Sequence, residues 1–437
     1  MLGAVALTAA IMPAQANAAP AQVKAAAVDP ATPEGTYFPL SPSRILDTRE
    51  GNGAPKAPLG PNQTLHLQVT GRGGVPTTGA STVVLNVTAT GPSSSGYLTV
   101  FPTGVERPTA SNLNFTPGWT GANAVTVPLG TNGQVDIFNP AGNVSVIVDV
   151  VGYYATATAP VKGGNFRQTI PGRVMDTRTD GFGPADPLSP VWVAVTFGNG
   201  SNDSHVRAFA VNITAVNGKL GGYLTAWNGV GTQPLASTLN FGKTVAVPNF
   251  AVVPTAPCDW DGCGGSPMIG IYNGSGGTTD IIVDIFGYYD DSTLGGLRFH
   301  PMTPTRITDT REAGQHALGP ASTTVFPAAS ATDANTFLLV SNVTGVDPSN
   351  STYLTLWSGE GDRPLVSNLN LLPHEVRANA AYVGIDNNFN YSVFNPANTV
   401  HMVMDVTGTF ELPVAAPAGL AASAVGGPTV SGQTHRN

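Results

Sequence analysis

A short motif of arginine and aspartate occurs three times and supplies the charged residues best suited to chemistry. It reads Arg-x-x-Asp-Thr-Arg and begins at Arg44, Arg173 and Arg306. Each copy is followed, further along the chain, by an apolar strand that carries a single aspartate. A carboxylate among apolar neighbours is costly to bury unless it is paired, and arginine can hold it with two parallel hydrogen bonds. We therefore expect these aspartates to bond to the motif arginines.

The predicted network has the same four members in every copy. They are Arg44, Asp47, Arg49 and Asp149 in the first, Arg173, Asp176, Arg178 and Asp284 in the second, and Arg306, Asp309, Arg311 and Asp405 in the third. The leading interpretation is structural, namely that the network staples the two ends of each repeat. Two alternatives remain open. The arginines could form a pocket for an anionic ligand, or the aspartate–arginine set could be catalytic.

A second repeated motif, Tyr-Leu-Thr-x-aromatic, is the candidate binding surface. Alternation along a strand places its two rings and the threonine on one face. The rings are Tyr97 and Phe101, Tyr223 and Trp227, and Tyr353 and Trp357. Flat rings beside hydroxyl groups suit a sugar, whose C–H face stacks on the ring while its hydroxyls find hydrogen-bond partners. The alternative is that these rings are packed between sheets or against an adjacent repeat, as large aromatic residues usually are.

The motifs recur at domain spacing, about 100–150 residues, and a chain of 437 residues suggests three domains. Short segments rich in Val, Ile, Thr, Tyr and Phe are broken by Gly, Pro and Asn every ~8–12 residues, which is typical of antiparallel β structure. We predict an all-β protein of three tandem antiparallel β-sandwich, jelly-roll-like modules. The alternative is a single pseudo-threefold β ring in which the copies share sheets.

The predicted domain organisation follows from the repeats and the small-residue segments between them. It comprises a signal peptide (1–18), a linker (19–36), module 1 (37–154), a linker (155–164), module 2 (165–289), a linker (290–296), module 3 (297–411) and a disordered tail (412–437). The signal peptide is indicated by an apolar stretch that ends in Ala16-Asn17-Ala18, a small-residue cleavage pattern.

Composition narrows the possible partners. Charged residues make up 11% of the chain, the net charge is −8, and no Lys/Arg run occurs, which argues against nucleic acid and anionic membranes. Beyond the N-terminus, no stretch approaches the ~20 apolar residues of a transmembrane helix. In an exported protein, Cys258 and Cys263 are expected to form a local disulfide. Two thiols alone are too few ligands for a metal site, and we expect neither a metal nor a cofactor.

Catalytic motifs are absent from the sequence. The seven histidines fall at unrelated positions in the copies, and no nucleophile, zinc or phosphate-loop signature occurs. Three near-equal modules also argue against one active site, so we expect no enzymatic activity. A pair of carboxylates for glycoside hydrolysis could still come from anywhere in the fold.

Two segments carry a family resemblance. Tyr37–Arg49 and Val148–Tyr154 resemble the start and end of a repeat module of secreted actinobacterial proteins, where it occurs in tandem or attached to cell-wall amidases and other exported enzymes. The resemblance covers roughly residues 37–411 and implies an exported, accessory role at the cell envelope or outside the cell. It implies neither a ligand nor a catalytic residue. The third copy departs at Thr308 and at Gly408-Thr409-Phe410, which we interpret as tolerated packing changes.

These observations favour an exported, multivalent binding or adhesion protein that recognises cell-wall or other extracellular glycan. Three weak sites on one chain could act together through effective concentration. The first alternative is a structural surface or assembly protein with a protein partner, and the second is a glycan-cleaving hydrolase. Exposed Tyr-x-Thr-x-aromatic rings would favour binding, and packed rings would favour assembly. A hydrolase would require two carboxyl groups about 5–10 Å apart in one cleft.

Overall fold

The computed structural model describes residues 31–197, 203–413 and 430–436. In module 1 the strands are β1 (Tyr37–Asp47), β2 (Gln63–Gln68), β3 (Ala80–Thr90), β4 (Gly96–Pro102), β5 (Leu113–Phe115), β6 (Thr120–Pro128), β7 (Gln134–Asn139) and β8 (Ser145–Ala155). In module 2 they are β9 (Asn165–Asp176), β10 (Ser189–Thr196), β11 (Val206–Val216), β12 (Gly222–Trp227), β13 (Leu239–Phe241), β14 (Val247–Pro254), β15 (Ala256–Pro257), β16 (Pro267–Asn273) and β17 (Asp280–Asp290).

Module 3 contains β18 (Arg298–Asp309), β19 (Ser322–Pro327), β20 (Thr336–Val346), β21 (Thr352–Trp357), β22 (Leu369–Leu371), β23 (Val376–Gly384), β24 (Asn390–Asn395) and β25 (His401–Glu411), and β26 (Ser431–His435) follows. Short 3₁₀ turns occur at Thr131–Gly133, Asp203–His205 and Ala329–Ala331. Among the described residues no helix is long and apolar enough to cross a membrane.

Each module is a jelly roll. In module 1 one sheet has the order β1-β8-β3-β6 and the other β2-β7-β4-β5, and all pairs are antiparallel. This interleaved order is that of two Greek keys folded into a double sheet. Modules 2 and 3 repeat this order, and in module 2 the second sheet also carries β15 and β26. The prediction of three jelly-roll-like sandwiches is confirmed, and each has its own apolar interior between the sheets.

The three modules close into a ring. The amide of Asn86 in module 1 donates to Ser237 O in module 2 at 2.6 Å. The equivalent bonds run from Asn212 in module 2 to Ser367 O in module 3 and from Asn342 in module 3 to Ser111 O in module 1, both at 2.7 Å. A contact repeated in this cyclic order requires a common pseudo-threefold axis. The alternative of shared sheets is wrong, because each module keeps its own pair of sheets around that axis.

The axis is filled by an aromatic cluster shared by all three modules. Tyr37, Phe166 and Phe299 come from the first strands, and Tyr154, Tyr289 and Phe410 from the last strands. All six side chains are almost fully buried. The hydroxyls of Tyr154, Tyr289 and Tyr382 form a triangle with O–O distances of 2.6, 3.1 and 3.2 Å. Buried phenols normally need a hydrogen-bond partner, and here they satisfy one another.

The repeated glycine of the closing motif makes room for these rings. A side chain at Gly152 would collide with the ring of Tyr37, and one at Gly287 or Gly408 with Phe166 or Phe299. The closing motif is therefore a packing signal for the axis. At its third occurrence Phe410 lacks a hydroxyl, and Tyr382 from β23 supplies the third member of the triangle.

The end of the chain corrects one prediction. Residues 412–437 were expected to be a disordered tail, but Ser431–His435 form β26, which pairs antiparallel with β10 of module 2. The physical reason is that β10 would otherwise be a sheet edge with unpaired backbone groups. The last strands of modules 1 and 2 also extend one residue beyond the predicted boundaries, to Ala155 and Asp290. The predicted signal peptide lies outside the described residues.

Candidate functional site

The arginine–aspartate motif joins the first and last strands of each module. In module 1, Arg44 on β1 is in register with Asp149 on β8. Its Nε lies 3.0 Å from Asp149 Oδ1 and its Nη2 3.4 Å from Oδ2. The same guanidinium donates to Asp47 Oδ2 at 3.4 Å, and Arg49 holds Asp47 with two bonds of 2.9 and 2.7 Å. The equivalent pairs in the other modules are Arg173–Asp284, Arg173–Asp176 and Arg178–Asp176, and Arg306–Asp405, Arg306–Asp309 and Arg311–Asp309.

Burial and ion pairing shift the pKa values of the two aspartates of module 1, Asp149 and Asp47, in opposite directions. Burial raises the pKa of Asp149, and the hydrogen bonds from Arg44 offset only part of that rise. Asp284 and Asp405 behave in the same way. At Asp47 the hydrogen bonds from Arg49 prevail over burial and hold the pKa of the carboxyl below its ordinary value. The pKa values of Asp176 and Asp309 are also lowered, although at Asp176 burial is the largest single influence and opposes the combined pull of the arginines.

The network also faces the neighbouring module. Arg44 Nη2 donates to Leu235 O in module 2 at 3.3 Å, and Arg306 Nη2 to Thr109 O in module 1 at 3.5 Å. The oxygens of each buried carboxylate are taken by a guanidinium, and in modules 1 and 3 that guanidinium also donates across a module boundary. This geometry suits a structural staple, and it leaves the carboxylates poorly placed for proton transfer.

The aromatic face predicted to bind glycan is largely packed. Phe101, Trp227 and Trp357 are only 4, 4 and 9% exposed. The threonine between the rings is also occupied, because Thr99 Oγ1 donates to Ala110 O at 2.9 Å, and the other two modules repeat this bond. The loop after β4 turns back over this face and covers it. The prediction of an exposed platform at these residues is therefore wrong.

The tyrosines of that motif have a different environment. Tyr223 is 38% exposed, and Tyr97 and Tyr353 are half-buried. In the short ladder between β4 and β5 and its equivalents, these tyrosines lie opposite Asn114, Asn240 and Asn370. The structure thus places the tyrosines beside the repeated Leu-Asn motif rather than beside an exposed tryptophan.

A cavity of about 600 Å³ opens where the three modules meet, and equivalent segments of all three line it. Module 1 contributes Asn114 and Trp119, module 2 contributes Asn240 and Phe241, and module 3 contributes Glu375 and Arg377. We call this cavity the axial pocket. None of its residues was a candidate site residue in the sequence, because residues far apart in the chain meet there only after the ring has closed.

Buried asparagines lie directly below the pocket. Asn123, Asn249 and Asn379 follow its lining segments on β6, β14 and β23, and each donates to an asparagine of the neighbouring module. Their acceptors are the side chains of Asn342, Asn86 and Asn212, at 2.8, 3.0 and 3.0 Å. An asparagine flanked by small or apolar residues recurs in all three copies, which is a sequence signal for this layer. Together these residues give the pocket a rigid, hydrogen-bonded floor.

Equivalent segments of the three modules line the pocket, but their side chains differ. Trp119 of module 1 is replaced by Val245 in module 2 and by Glu375 in module 3. In module 3, Arg377 donates to Glu375 Oε1 from Nε at 2.7 Å, while Glu375 Oε2 accepts the Leu372 amide at 2.9 Å. One wall is therefore aromatic, one apolar and one an ion pair.

Two amide groups in the pocket retain free donors. Asn114 Oδ1 accepts from Ser111 Oγ at 3.4 Å, and Asn240 Oδ1 accepts from Ser237 Oγ at 3.5 Å. The structure gives neither amide nitrogen a partner within the described residues, and both side chains are half-exposed. These nitrogens are available to an oxygen acceptor of a ligand.

The predicted disulfide is confirmed between Cys258 and Cys263. It closes the loop that module 2 carries between β15 and β16. Within the described ranges, no group of three or more His, Cys, Asp or Glu side chains is arranged to hold a metal ion.

Similarity to known proteins is confined to a few solved structures. No protein-family model and no curated protein matches the chain. Two similar solved structures are described as the triple jelly roll fold and turret assembly in an archaeal virus and as Sulfolobus Turreted Icosahedral Virus. Each is 9% identical with a TM-score of 0.16; the alignments cover 86% of this chain and 90 and 91% of those chains. The jelly-roll assignment rests on the strand order within this chain.

Proposed function

We propose that the protein is an exported, non-catalytic glycan-binding protein whose three modules form one binding site, the axial pocket. The observation that carries the proposal is the convergence of all three modules on this single cavity. Because the aromatic face of each module is packed, the three modules do not offer three separate binding sites there. The repeats instead contribute one wall each to a common site.

The chemistry of the pocket suits a polyhydroxylated ligand. The half-buried ring of Trp119 offers a flat surface to the C–H face of a sugar, and the free amide nitrogens of Asn114 and Asn240 can donate to its oxygens. Glu375 is a carboxylate acceptor for hydroxyl groups, and its charge is balanced by Arg377. Concave sites with apolar walls and a few fixed polar groups are the usual form of ligand pockets. The balanced charge favours a neutral glycan over a polyanion.

Export is supported by the sequence of the first 18 residues and by the disulfide. Disulfides persist in oxidising compartments and are rare in the cytosol of mesophiles. The absence of a catalytic role is supported by the arginine–aspartate network, in which guanidinium groups occupy the only aspartates that recur in every module.

A binding assay on polymers tests the proposal. The chain from residue 19 onward is incubated with insoluble peptidoglycan, purified cell walls and a polysaccharide panel. We expect retention of the wild type, and Trp119→Ala to weaken it by about tenfold or more, equivalent to about 1.4 kcal/mol. Trp260→Ala is the matched control, since Trp260 is also half-exposed but lies outside the pocket. Circular dichroism verifies that both variants fold.

Each contrary result has a definite meaning. If the wild type is retained on no polymer, the glycan proposal is wrong. If Trp119→Ala binds as well as Trp260→Ala, the axial pocket is not the site.

A second candidate function is a structural assembly protein with a protein partner. The burial of Phe101, Trp227 and Trp357 favours it, because these rings serve packing rather than ligand binding. The test is whether the protein associates with itself or with another surface protein when no glycan is present.

A further inference from the structure

Module 2 differs most from the other modules in that β26 is added to the edge of the sheet that contains β10. β26 pairs with β10 from Trp192–His435 to Thr196–Ser431. Side chains reinforce both ends of the ladder: Thr196 Oγ1 lies 2.7 Å from Ser431 Oγ, and Thr434 Oγ1 donates to Asp180 Oδ2 at 3.1 Å. The equivalent strands β2 and β19 of modules 1 and 3 have no such partner among the described residues.

The disulfide loop of module 2 packs against β26. Trp260 lies between the two cysteines, and its ring stacks on His435 with a centroid distance of 4.7 Å and an interplanar angle of 5°. Behind the ring, Cys258 and Cys263 pack with Ala194 and Met268 in a small buried cluster. The insertion, its disulfide and its tryptophan are absent from the other modules. All three therefore serve the same contact.

The segment beside β26 also contributes to the interior of module 2. In module 2, Val430 beside β26 packs against the interior. At Gly432 the strand approaches β9 so closely that any side chain would collide with the carbonyl oxygen of Val174. The site is thus shaped for a strand with a small residue at this position.

We propose that β10 and the disulfide loop form a strand-acceptor site, and that its second occupant is the C-terminal strand of another copy of this chain. Addition of a strand to a sheet edge is a common mode of recognition, in which backbone bonds give affinity and side-chain pockets give specificity. The occupant is identified by the structure, because Ser431–His435 of any copy can make every contact seen here. A vacated β10 would be an eight-residue exposed edge, which recruits strands.

An exchange that is not reciprocal joins copies head to tail, because each copy then donates β26 to one neighbour and accepts a strand from another. Such heterologous contacts give rings when the rotation closes and filaments when it does not. Closure within one chain has the advantage of the effective concentration that covalent linkage provides. Exchange between chains therefore becomes favourable where copies are crowded, as on a surface. This assembly is independent of the axial pocket and of glycan.

A complementation experiment tests the proposal. A chain that ends at residue 429 has an acceptor site but no donor strand, and it is mixed with full-length protein at rising concentration. We expect sedimentation velocity to show a heterodimer. Two variants give the controls: full-length Gly432→Val cannot donate and should form none, and Trp260→Ala in the truncated chain should weaken association about tenfold.

Two results would overturn the proposal. One is that the truncated and full-length chains remain monomers at several hundred micromolar while both are folded by circular dichroism. The other is that a peptide of residues 428–437 binds the truncated chain but the full-length protein does not, because β26 would then close only within its own chain. Should the truncated chain fail to fold, full-length Gly432→Val replaces it as acceptor, with wild type as donor.

Discussion

The asparagine layer beneath the axial pocket allows the cost of unpaired buried polar groups to be measured. Asn379 makes three bonds: its Nδ2 donates to Asn212 Oδ1 at 3.0 Å and to Asn368 O at 2.6 Å, and its Oδ1 accepts the Phe250 amide at 2.9 Å. Phe250 lies on β14, the strand at the sheet edge nearest the axis. The side chain of one module thus caps an edge amide of another.

Asn249 is the matched control within the same chain. Its Nδ2 makes the two equivalent bonds, to Asn86 Oδ1 at 3.0 Å and to Thr238 O at 2.6 Å. Its Oδ1 is buried without a partner. Asn249 and Asn379 are each 1% exposed. Replacing either residue by alanine removes the same atoms and leaves two equivalent acceptors unpaired. Only Asn379→Ala also leaves a buried backbone N–H, that of Phe250, without its acceptor.

Leaving a buried donor or acceptor unpaired costs about 1–3 kcal/mol. Asn249→Ala is therefore expected to lower the free energy of unfolding by about 1–3 kcal/mol, because removal of its unpaired Oδ1 offsets part of the cost of the two unpaired acceptors. Asn379→Ala should lower it by about 2–6 kcal/mol more, because it leaves a third group unpaired and relieves none. Asn123→Ala should match Asn379→Ala, since Asn123 Oδ1 accepts the Ala380 amide at 2.9 Å. Equilibrium urea unfolding of the three variants measures these differences. Because the modules share an aromatic core, we expect one transition. Equal losses for Asn249→Ala and Asn379→Ala, at equal denaturant dependence, would refute the reasoning.

Further substitutions compare satisfied with unsatisfied polar groups. Asp284→Ala should cost about 3 kcal/mol in urea unfolding, the low end for breaking a buried pair, because Arg173 keeps a second aspartate; a cost below about 1 kcal/mol contradicts the staple. Trp227→Phe should cost about 1 kcal/mol more than Trp357→Phe. Both substitutions remove the same part of a buried ring, but only Trp227 loses a 3.3 Å hydrogen bond, from its indole N–H to Val230 O; among the described residues the indole N–H of Trp357 has no partner. The reverse order contradicts the assignment. The lowered pKa of Asp47 means that its ionised form contributes stability above the unfolded pKa of about 3.9 and loses it as pH falls through the folded value. The stability difference between wild type and Asp47→Asn should therefore shrink below about pH 4, and a constant difference in acid excludes this linkage.

The jelly-roll modules could be predicted because their signals are local. Strand periodicity and repeated turn residues are visible within each copy, and a lone aspartate in an apolar strand needs a cation wherever the strand lies. That requirement predicted that Asp149 bonds Arg44 or Arg49, and in the structure the partner is Arg44. The same reasoning identifies no partner for Asn86. Its actual acceptor, Ser237 O, belongs to another module, and no local pattern reveals which module will be the neighbour.

The error on the aromatic motif has a related cause. Alternation assigned Phe101, Trp227 and Trp357 to one face of their strands, but it says nothing about what covers that face. The covering loop follows the strand directly, and its carbonyl oxygens take the threonine hydroxyls. A loop that returns across its own strand leaves no periodic signal. For the same reason the tail was predicted to be disordered, since five residues of mixed polarity do not identify a strand until the edge they complete is known.

Covalent linkage of three jelly rolls explains why this pseudo-trimer can be asymmetric. In a trimer of identical chains, every residue at the axis occurs three times. A tryptophan at the pocket would therefore be accompanied by two identical tryptophans from the other chains. Here Trp119 faces Val245 and Glu375 at equivalent positions, and Tyr382 supplies a hydroxyl that Phe410 lacks. One module alone also carries the disulfide loop that holds the C-terminal strand. The ring contacts repeated in every module maintain the fold. The residues that differ between modules, at the pocket and at β10, are therefore where binding and assembly are to be sought.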